Sequence, residues 1–219
     1  MVQDAPESKT YVVHHINGPL QITGNGTDPH WENANELTDF TYPWREEQAP
    51  TTAFKALWNE THLYFLYRAV DPDIVAKKEG LGERDVVHSD RVEIFFKADD
   101  QMNPYYSLEM DALGRILDTE GRFYRQVDFD WNWPEGHLEV KASIDKTGYW
   151  VEGAITLESL RQLGMYQDDH VLQAGLYRGE YYTVQGGKVK TKWISWVKPD
   201  SPKPDFHIPS SFGVLELGH

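Results

Sequence analysis

The sequence predicts an all-β domain, built as a two-layer antiparallel β-sandwich with few short helices. Segments in which apolar and polar residues alternate recur at short intervals along the 219 residues. Glycine, proline, asparagine and aspartate separate these segments, as they do at the ends of strands. Only one segment is a good helix candidate. Many short strands with little helix are typical of two packed sheets, here of a jelly-roll or immunoglobulin-like kind.

The strand assignments follow this alternation from one segment to the next. Thr52–Trp58 and His62–Val70 are rich in β-branched and aromatic residues, and the polar residues 59–61 between them form a turn. Residues 138–144 and 149–156 form a second hairpin in the same way. The other predicted strands cover residues 90–97, 105–112, 115–119, 121–126, 171–182, 188–196 and 212–217.

Two of these strands predict which side chains face the core, because successive side chains in a strand point to opposite faces. The predicted core-facing set is Val92, Ile94, Phe96, Tyr106, Leu108 and Met110. The predicted outward set is Arg91, Glu93, Phe95, Ser107, Glu109 and Asp111. We also expect Trp150 and Ile155 to be buried.

The single good helix candidate covers residues 157–163. Thr156 can cap its first turn, and Gly164 can end it. Residues 31–37 form at most a helical turn. We expect residues 1–10 to be a flexible tail and residues 11–219 to be one domain, which is an ordinary length for a β-sandwich.

Charge and cysteine content exclude several classes of partner and site. The chain has 21 Lys and Arg against 35 Asp and Glu, a net charge of −14. Such a surface repels phosphate backbones and anionic lipids, so we expect no nucleic acid partner and no membrane insertion. The absence of cysteine excludes a disulfide scaffold and a thiolate metal site. The 8 Trp, 12 Tyr and 9 Phe are the informative excess, since large rings fill cores and also stack on sugars.

Six motifs in order make the chain resemble the family 9 carbohydrate-binding modules, over nearly its whole length after about residue 16. Asp90-Arg91-Val92-Glu93-Ile94-Phe95 resembles the family's D-x-V-E-I-F strand, and Gly148-Tyr149-Trp150-Val151-Glu152 its G-x-W-x-x-E segment. The other four motifs lie at residues 30–40, 56–64, 70–73 and 196–215. The resemblance implies a non-catalytic, extracellular or periplasmic domain that binds a sugar or a polysaccharide end during glycan degradation. We expect a monomer whose signal peptide is not part of this sequence.

The resemblance also implies where the sugar binds. In sugar-binding members of the family, two tryptophans clamp a terminal sugar over a polar sheet face. One of these positions corresponds to Trp196, but the other falls in residues 82–89, which contain no aromatic residue. Trp193 and Trp196 lie on opposite faces of a regular strand, and the family position makes Trp196 the exposed one. The predicted ligand-binding residues are Trp196, Glu93, Arg91, Glu109, Trp131, Trp133 and Arg178.

No cofactor is required, and a structural calcium ion is left open. Asp71, Asp73, Asp128 and Asp130 offer the oxygen ligands that calcium prefers, although no EF-hand spacing is present. Two other functions also stay open. A glycoside hydrolase would need two carboxylates across a cleft, for which Glu93 and Glu109 are candidates. A b-type haem domain would need axial ligands, for which Met102, Met110 and His207 are available, although Met110 faces the predicted core.

Overall fold

The structure is a computed structural model that describes residues 9–76 and 82–218. Residues 1–8 of the predicted tail lie outside the described residues, and Thr10 already begins a strand. The strands are β1 (Thr10–His15), β2 (Thr52–Trp58), β3 (His62–Val70), β4 (Arg91–Lys97), β5 (Tyr105–Asp111), β6 (Ile116–Arg122), β7 (Gln126–Asp128), β8 (Leu138–Asp145), β9 (Gly148–Thr156), β10 (Val171–Val184), β11 (Lys188–Ser195) and β12 (Gly213–Leu217). The helices are α1 (Leu157–Gln162) and 3₁₀ helices at Pro29–Asn33, Gly82–His88 and Pro209–Ser211. The all-β class is therefore confirmed.

The strands form one curled sheet in the order β7-β6-β5-β4-β10-β12-β1-β2-β3-β9-β8, with β11 paired to β10. The sheet is mixed, so the purely antiparallel arrangement expected from the sequence is wrong at β1. That strand runs parallel to β12 through its first residues and parallel to β2 through its last two. Parallel neighbours need a long connection, and residues 16–51 provide one between β1 and β2.

The curled sheet has two arms, which are β7-β6-β5-β4-β10-β12 on one side of β1 and β2-β3-β9-β8 on the other. The main core collects side chains from both arms. All six residues of the predicted core-facing set are buried in this core, together with Ile155. A hydrogen bond from the Tyr67 hydroxyl to the Glu93 carbonyl, 3.0 Å long, also joins the arms. The prediction for Trp150 is wrong: its neighbours Tyr149 and Val151 point into the core, so strand alternation turns Trp150 to the outward face.

The predicted helix is present as α1, with the capping expected from the sequence. The Thr156 hydroxyl accepts a hydrogen bond from the Ser159 amide, and Gly164 follows the helix with a φ of +75°. Among the described residues, no helix is long and apolar enough to cross a membrane.

Residues 197–212 form a covering loop over the outward face of β4, β5 and β10. Phe206 and Phe212 of this loop pack there against Phe95, Tyr105 and Tyr177 in a second apolar cluster. The rings of Tyr177 and Phe206 stack with centroids 4.1 Å apart. The covering loop thus turns an outward sheet face into a partly enclosed cavity.

Candidate binding site

The floor of the cavity is a charged cluster that strand register assembles. Glu93 of β4 lies directly opposite Glu109 of β5, and Arg91 shares their face because it precedes Glu93 by two residues. The Arg91 Nε lies 2.8 Å from the Glu93 Oε1 and 2.7 Å from the Glu109 Oε2. The structure thus brings together three of the residues predicted for the site, and all three are buried.

One guanidinium held between two carboxylates gives this floor unusual protonation. Burial raises the pKa of Glu93 to about 8, and the nearby Glu109 carboxylate adds to the rise, while Arg91 opposes it. Burial acts to lower the pKa of Arg91, but the two carboxylates hold it above its ordinary value. The raised pKa favours the protonated form of Glu93 near neutral pH, and in this form the group can donate as well as accept hydrogen bonds.

A tryptophan forms the wall beside this floor. Trp193 of β11 lies opposite Gly179 of β10, and Gly179 in turn lies opposite Arg91. A Cβ on Gly179 would come within 3.2 Å of the Trp193 Cζ3 and 3.3 Å of an Arg91 Nη1. Because Gly179 has no side chain, the Arg91 guanidinium lies over the half-buried Trp193 ring, 5.3 Å from its centroid.

The opposite wall comes from the covering loop and the turn between β6 and β7. Asp205 accepts hydrogen bonds from the Tyr124 hydroxyl at 2.5 Å and from the Arg125 Nη2 at 2.9 Å. Partial burial works against it, but these two hydrogen bonds hold the pKa of Asp205 below its ordinary value. The pair fixes Arg125 at the mouth of the cavity.

His207 completes the wall as a neutral imidazole. Its Nδ1 lies 2.6 Å from the Tyr105 hydroxyl. Burial lowers the pKa of His207 to about 4, and the positive charge of Arg125 lowers it further. At neutral pH the ring can therefore take part in hydrogen bonds without adding charge to the cavity.

The partly enclosed space has two adjacent parts, of about 140 and 260 Å³. Both are lined by Arg91, Glu109, Arg125 and His207. The smaller part reaches Trp193 and Phe206, and the larger reaches Val87 and Phe129. Each part is smaller than a typical ligand pocket of roughly 300 to 1,000 Å³, a size that suits a small polar molecule.

The ring at this site is Trp193, not Trp196. The expectation that the two lie on opposite faces is met, but the assignment of the exposed ring to Trp196 is wrong, since Trp196 is 2% exposed and lies in the main core. Trp196 follows the core-facing Ile194 by two residues and continues on the same side. Trp193 has the opposite parity and faces the cavity.

The two loop tryptophans predicted as a closing ring also lie on the core side. Trp133 is buried, and its indole nitrogen donates to the Ser159 hydroxyl at 3.1 Å. Trp131 packs on Tyr106, with ring centroids 4.8 Å apart. The ring from this segment that lines the cavity is Phe129, which sequence reasoning missed. The available signal was one more aromatic residue in the same turn-rich stretch.

Arg178 does not reach the cavity either. It follows Ala174 and Leu176 on the core side of β10 and is fully buried. Its guanidinium donates to an Asp71 carboxylate oxygen at 2.9 Å. Arg178 therefore joins β10 to the end of β3, which explains its position without a ligand.

The four aspartates predicted as calcium ligands do not form a shared cluster. The Asp73 carboxylate accepts from the Thr183 amide, Asp128 from the Asp130 amide, and Asp130 pairs with Arg84, in addition to the contact of Asp71 with Arg178. Among the described residues, no group of three or more His, Cys, Asp or Glu is placed to hold a metal ion. These residues do not fit a calcium shell, and calcium binding stays a prediction.

The chain is similar to a solved protein from Bacteroides uniformis ATCC 8492, described as a candidate carbohydrate-binding protein, at 17% identity and a TM-score of 0.70, covering 96% of this chain and 100% of that one. It is also similar to a family 9 carbohydrate-binding module from Caldicellulosiruptor kristjanssonii, solved with cellotriose, at 15% identity and a TM-score of 0.62, over 95% of this chain and 93% of that one. A structure of a family 9 module from the same organism with glucose gives 16% identity and a TM-score of 0.60, over 96% of both chains.

At these identities the structural likeness shows the fold alone. No curated protein sequence matches the chain. A sequence family described as "Carbohydrate family 9 binding domain-like" matches residues 22–219, nearly the whole chain. The protein therefore belongs to the carbohydrate family 9 binding domain-like family.

Proposed function

We propose that the protein is a non-catalytic carbohydrate-binding domain whose ligand site is the cavity between Trp193 and the Arg91, Glu93 and Glu109 floor. The observation that carries this proposal is the partly buried Trp193 ring beside a buried set of hydrogen-bonding groups. A sugar ring has an apolar face that stacks on an aromatic side chain and a rim of hydroxyls that needs polar partners. The cavity offers both within one small volume.

The charges of the lining favour a neutral sugar. Two arginines face the carboxylates of Glu109 and Asp205, and the raised pKa of Glu93 favours its uncharged form near neutral pH. Hydrogen bonds to charged groups are stronger than those between neutral groups, so Glu109 and Arg125 would anchor hydroxyls well. Glu93 and His207 could each both donate and accept.

Two structural neighbours were solved with glucose and cellotriose, so glucose and short cello-oligosaccharides are the first ligands to test. Xylo-oligosaccharides come next, in keeping with a role in polysaccharide degradation outside the cytoplasm. We infer as well that the curled sheet works as a two-layer sandwich. Support comes from the way both of its arms contribute to one core.

The same floor argues against glycoside hydrolysis. A hydrolase needs two carboxylates that face the glycosidic bond, with space for the sugar between them. Here the guanidinium of Arg91 occupies the space between Glu93 and Glu109 and binds both. Haem binding has no support either. Met110 lies in the main core, across the sheet from His207, and Met102 is fully buried in the apolar cluster with Phe95 and Tyr105.

Calorimetric titration of glucose, cello-oligosaccharides and xylo-oligosaccharides tests the proposal. We expect dissociation constants in the micromolar to millimolar range, since one stacked ring and a few hydrogen bonds supply the affinity. Trp193→Ala should weaken binding by about 1 to 3 kcal/mol, which is roughly fivefold to more than a hundredfold. Trp193→Phe is the matched control, because it keeps a ring and should retain part of the affinity. Undiminished binding by Trp193→Ala, or no binding to any sugar by the wild type, would refute the proposed site.

A further inference from the structure

A separate groove of about 490 Å³ lies on the outward face of the other arm of the sheet. Its floor follows from strand alternation and register. Ala53 of β2, Arg68 of β3 and Trp150 of β9 form one row across three neighbouring strands, and Lys55 and Leu66 form the next. None of these residues lines the cavity beside Trp193.

One wall of this groove is held by a buried carboxylate. Glu152 is fully buried and accepts four hydrogen bonds on one oxygen, from the Thr23 amide and hydroxyl and from the amides of Gly24 and Gly26, at 2.5 to 3.2 Å. Its other oxygen accepts from the Trp31 indole nitrogen at 2.7 Å. So many charge-assisted hydrogen bonds fix residues 23–31 against the sheet.

The wall packs so closely on the floor at Gly26 that only glycine fits there. Gly26 has a φ of +67°, and a Cβ there would come within 2.6 Å of a Leu66 methyl group. The wall therefore lies directly on Leu66, and the groove has a defined shape before any ligand arrives. Preformed shape is a property of binding sites, because less conformational entropy is lost when the ligand binds.

The floor presents a flat platform with an apolar surround. The Arg68 guanidinium lies over the Trp150 ring, 4.8 Å from its centroid. Asp145 holds both partners, accepting from the Arg68 Nη2 at 3.0 Å and from the Trp150 indole nitrogen at 3.1 Å. Leu66 and Pro29 add apolar surface beside this platform.

The rim carries both negatively and positively charged side chains that can form hydrogen bonds. The exposed Glu32 carboxylate makes no hydrogen bond or ion pair within the part of the chain that the structure describes. The Lys55 Nζ lies 3.6 Å from a Glu36 oxygen, a loose pair that leaves donors available. With Asp28 also present, carboxylates slightly outnumber cations, so the rim disfavours an anionic ligand.

We propose that this groove is a second saccharide site, in which a neutral sugar ring lies on the Trp150 and Arg68 platform and its hydroxyls bond to Glu32 and Lys55. The choice of ligand class rests on the proposed function, but the residues do not overlap with the first site. Two sites on different arms would let one polysaccharide chain or two neighbouring chains engage the domain at two points. Binding to a polymer would then exceed binding to a short oligosaccharide through avidity.

Titration of cello- and xylo-oligosaccharides into Trp193→Ala tests the second site with the first one disabled. We expect residual weak binding, roughly millimolar, that falls about tenfold or more when Trp150→Ala is added. In otherwise wild-type protein, Glu32→Gln changes an exposed side chain that cannot unfold the domain, and it should weaken binding at the groove several-fold. Thermal melting of each variant confirms folding.

The outcomes separate the two proposals. If Trp193→Ala alone abolishes all binding, the second site is refuted and the first is supported. If binding persists in Trp193→Ala and its affinity is unchanged by both Trp150→Ala and Glu32→Gln, the groove is refuted as the place where the sugar binds. If Trp150→Ala abolishes binding while Trp193→Ala binds as well as the wild type, the groove is supported and the first site is refuted. No sugar binding by the wild type refutes both.

Discussion

Each arm of the sheet carries an arginine stacked on a tryptophan on its outward face, yet the two pairs differ in their electrostatics. Arg91 and its carboxylate partners have side chains only 3 to 10% exposed, whereas Arg68 is 15% and its partner Asp145 45% exposed. Burial raises the pKa of Glu93, while hydrogen bonds from Thr147, and then from Trp150 and Arg68, hold the pKa of Asp145 well below its ordinary value. The same residue types therefore behave in opposite ways, because the covering loop removes water from one face only.

The largest difference between the two faces should be the loss of stability when the arginine of each is replaced. Arg91→Met would leave the Glu109 carboxylate and the Glu93 carboxyl group buried without the cation that binds both, at a cost of about 3 to 5 kcal/mol in the free energy of unfolding. Arg68→Met should cost much less, because water can solvate the exposed Asp145. Urea unfolding at pH 7, followed by tryptophan fluorescence, measures both. Equal losses would mean that the covering loop does not isolate the floor from solvent.

The part of this contrast that the sequence could predict came from the alternation of side chains along each strand. The period of two placed Arg91, Glu93 and Glu109 together on the outward face, and it identified the core-facing side chains of β4 and β5. It could not say which face would be covered, since that depends on the covering loop. Asp205, for example, binds Arg125 from 80 positions away in the chain, and no local pattern encodes such a contact.

The tryptophan assignments show a second limit of sequence reasoning. Parity showed that Trp193 and Trp196 face opposite ways, but not which one faces the core, because that required knowing that Ile194 is buried. The family position favoured Trp196, and the structure reversed it. Likewise Trp150 was expected to be buried, although its flanking neighbours already fill the core side of β9.

The Arg91 and Trp193 pair depends on a missing side chain, and the next prediction tests this. Gly179→Ala would place a methyl group 3.2 Å from the Trp193 ring, so the ring and Arg91 must shift by a few tenths of an ångström. We expect about fivefold weaker sugar binding at the cavity, close to 1 kcal/mol. Calorimetry on this variant gives the affinity, and urea unfolding shows whether the fold is intact. Unchanged affinity would mean that the ligand does not use the Trp193 ring in this position.

The smallest expected effect concerns pH, and it follows from the opposite pKa shifts on the two faces. The pKa of Glu93 is about 8 in the folded protein against an ordinary value of 4.5, so between these values the folded state binds more protons than the unfolded state. Stability must then fall as pH rises through this window. Asp90, whose pKa is also raised to about 8 by burial and by the nearby Asp71, acts in the same direction.

The variant Glu93→Gln separates the contributions of Glu93 and Asp90 to the pH dependence of stability, because Asp90 is unchanged in it. Its unfolding free energy should decline less than that of the wild type from pH 4.5 to 8, by on the order of 1 kcal/mol, since Glu109 and Arg91 share the effect. Asp145→Asn on the open face should instead follow the wild type in parallel across this window. The pKa of Asp145 lies below the window in both the folded and unfolded states. Urea unfolding at several pH values decides the matter: parallel curves for Glu93→Gln and the wild type would show that Glu93 is ionised in the folded protein, and the floor would then carry a net negative charge.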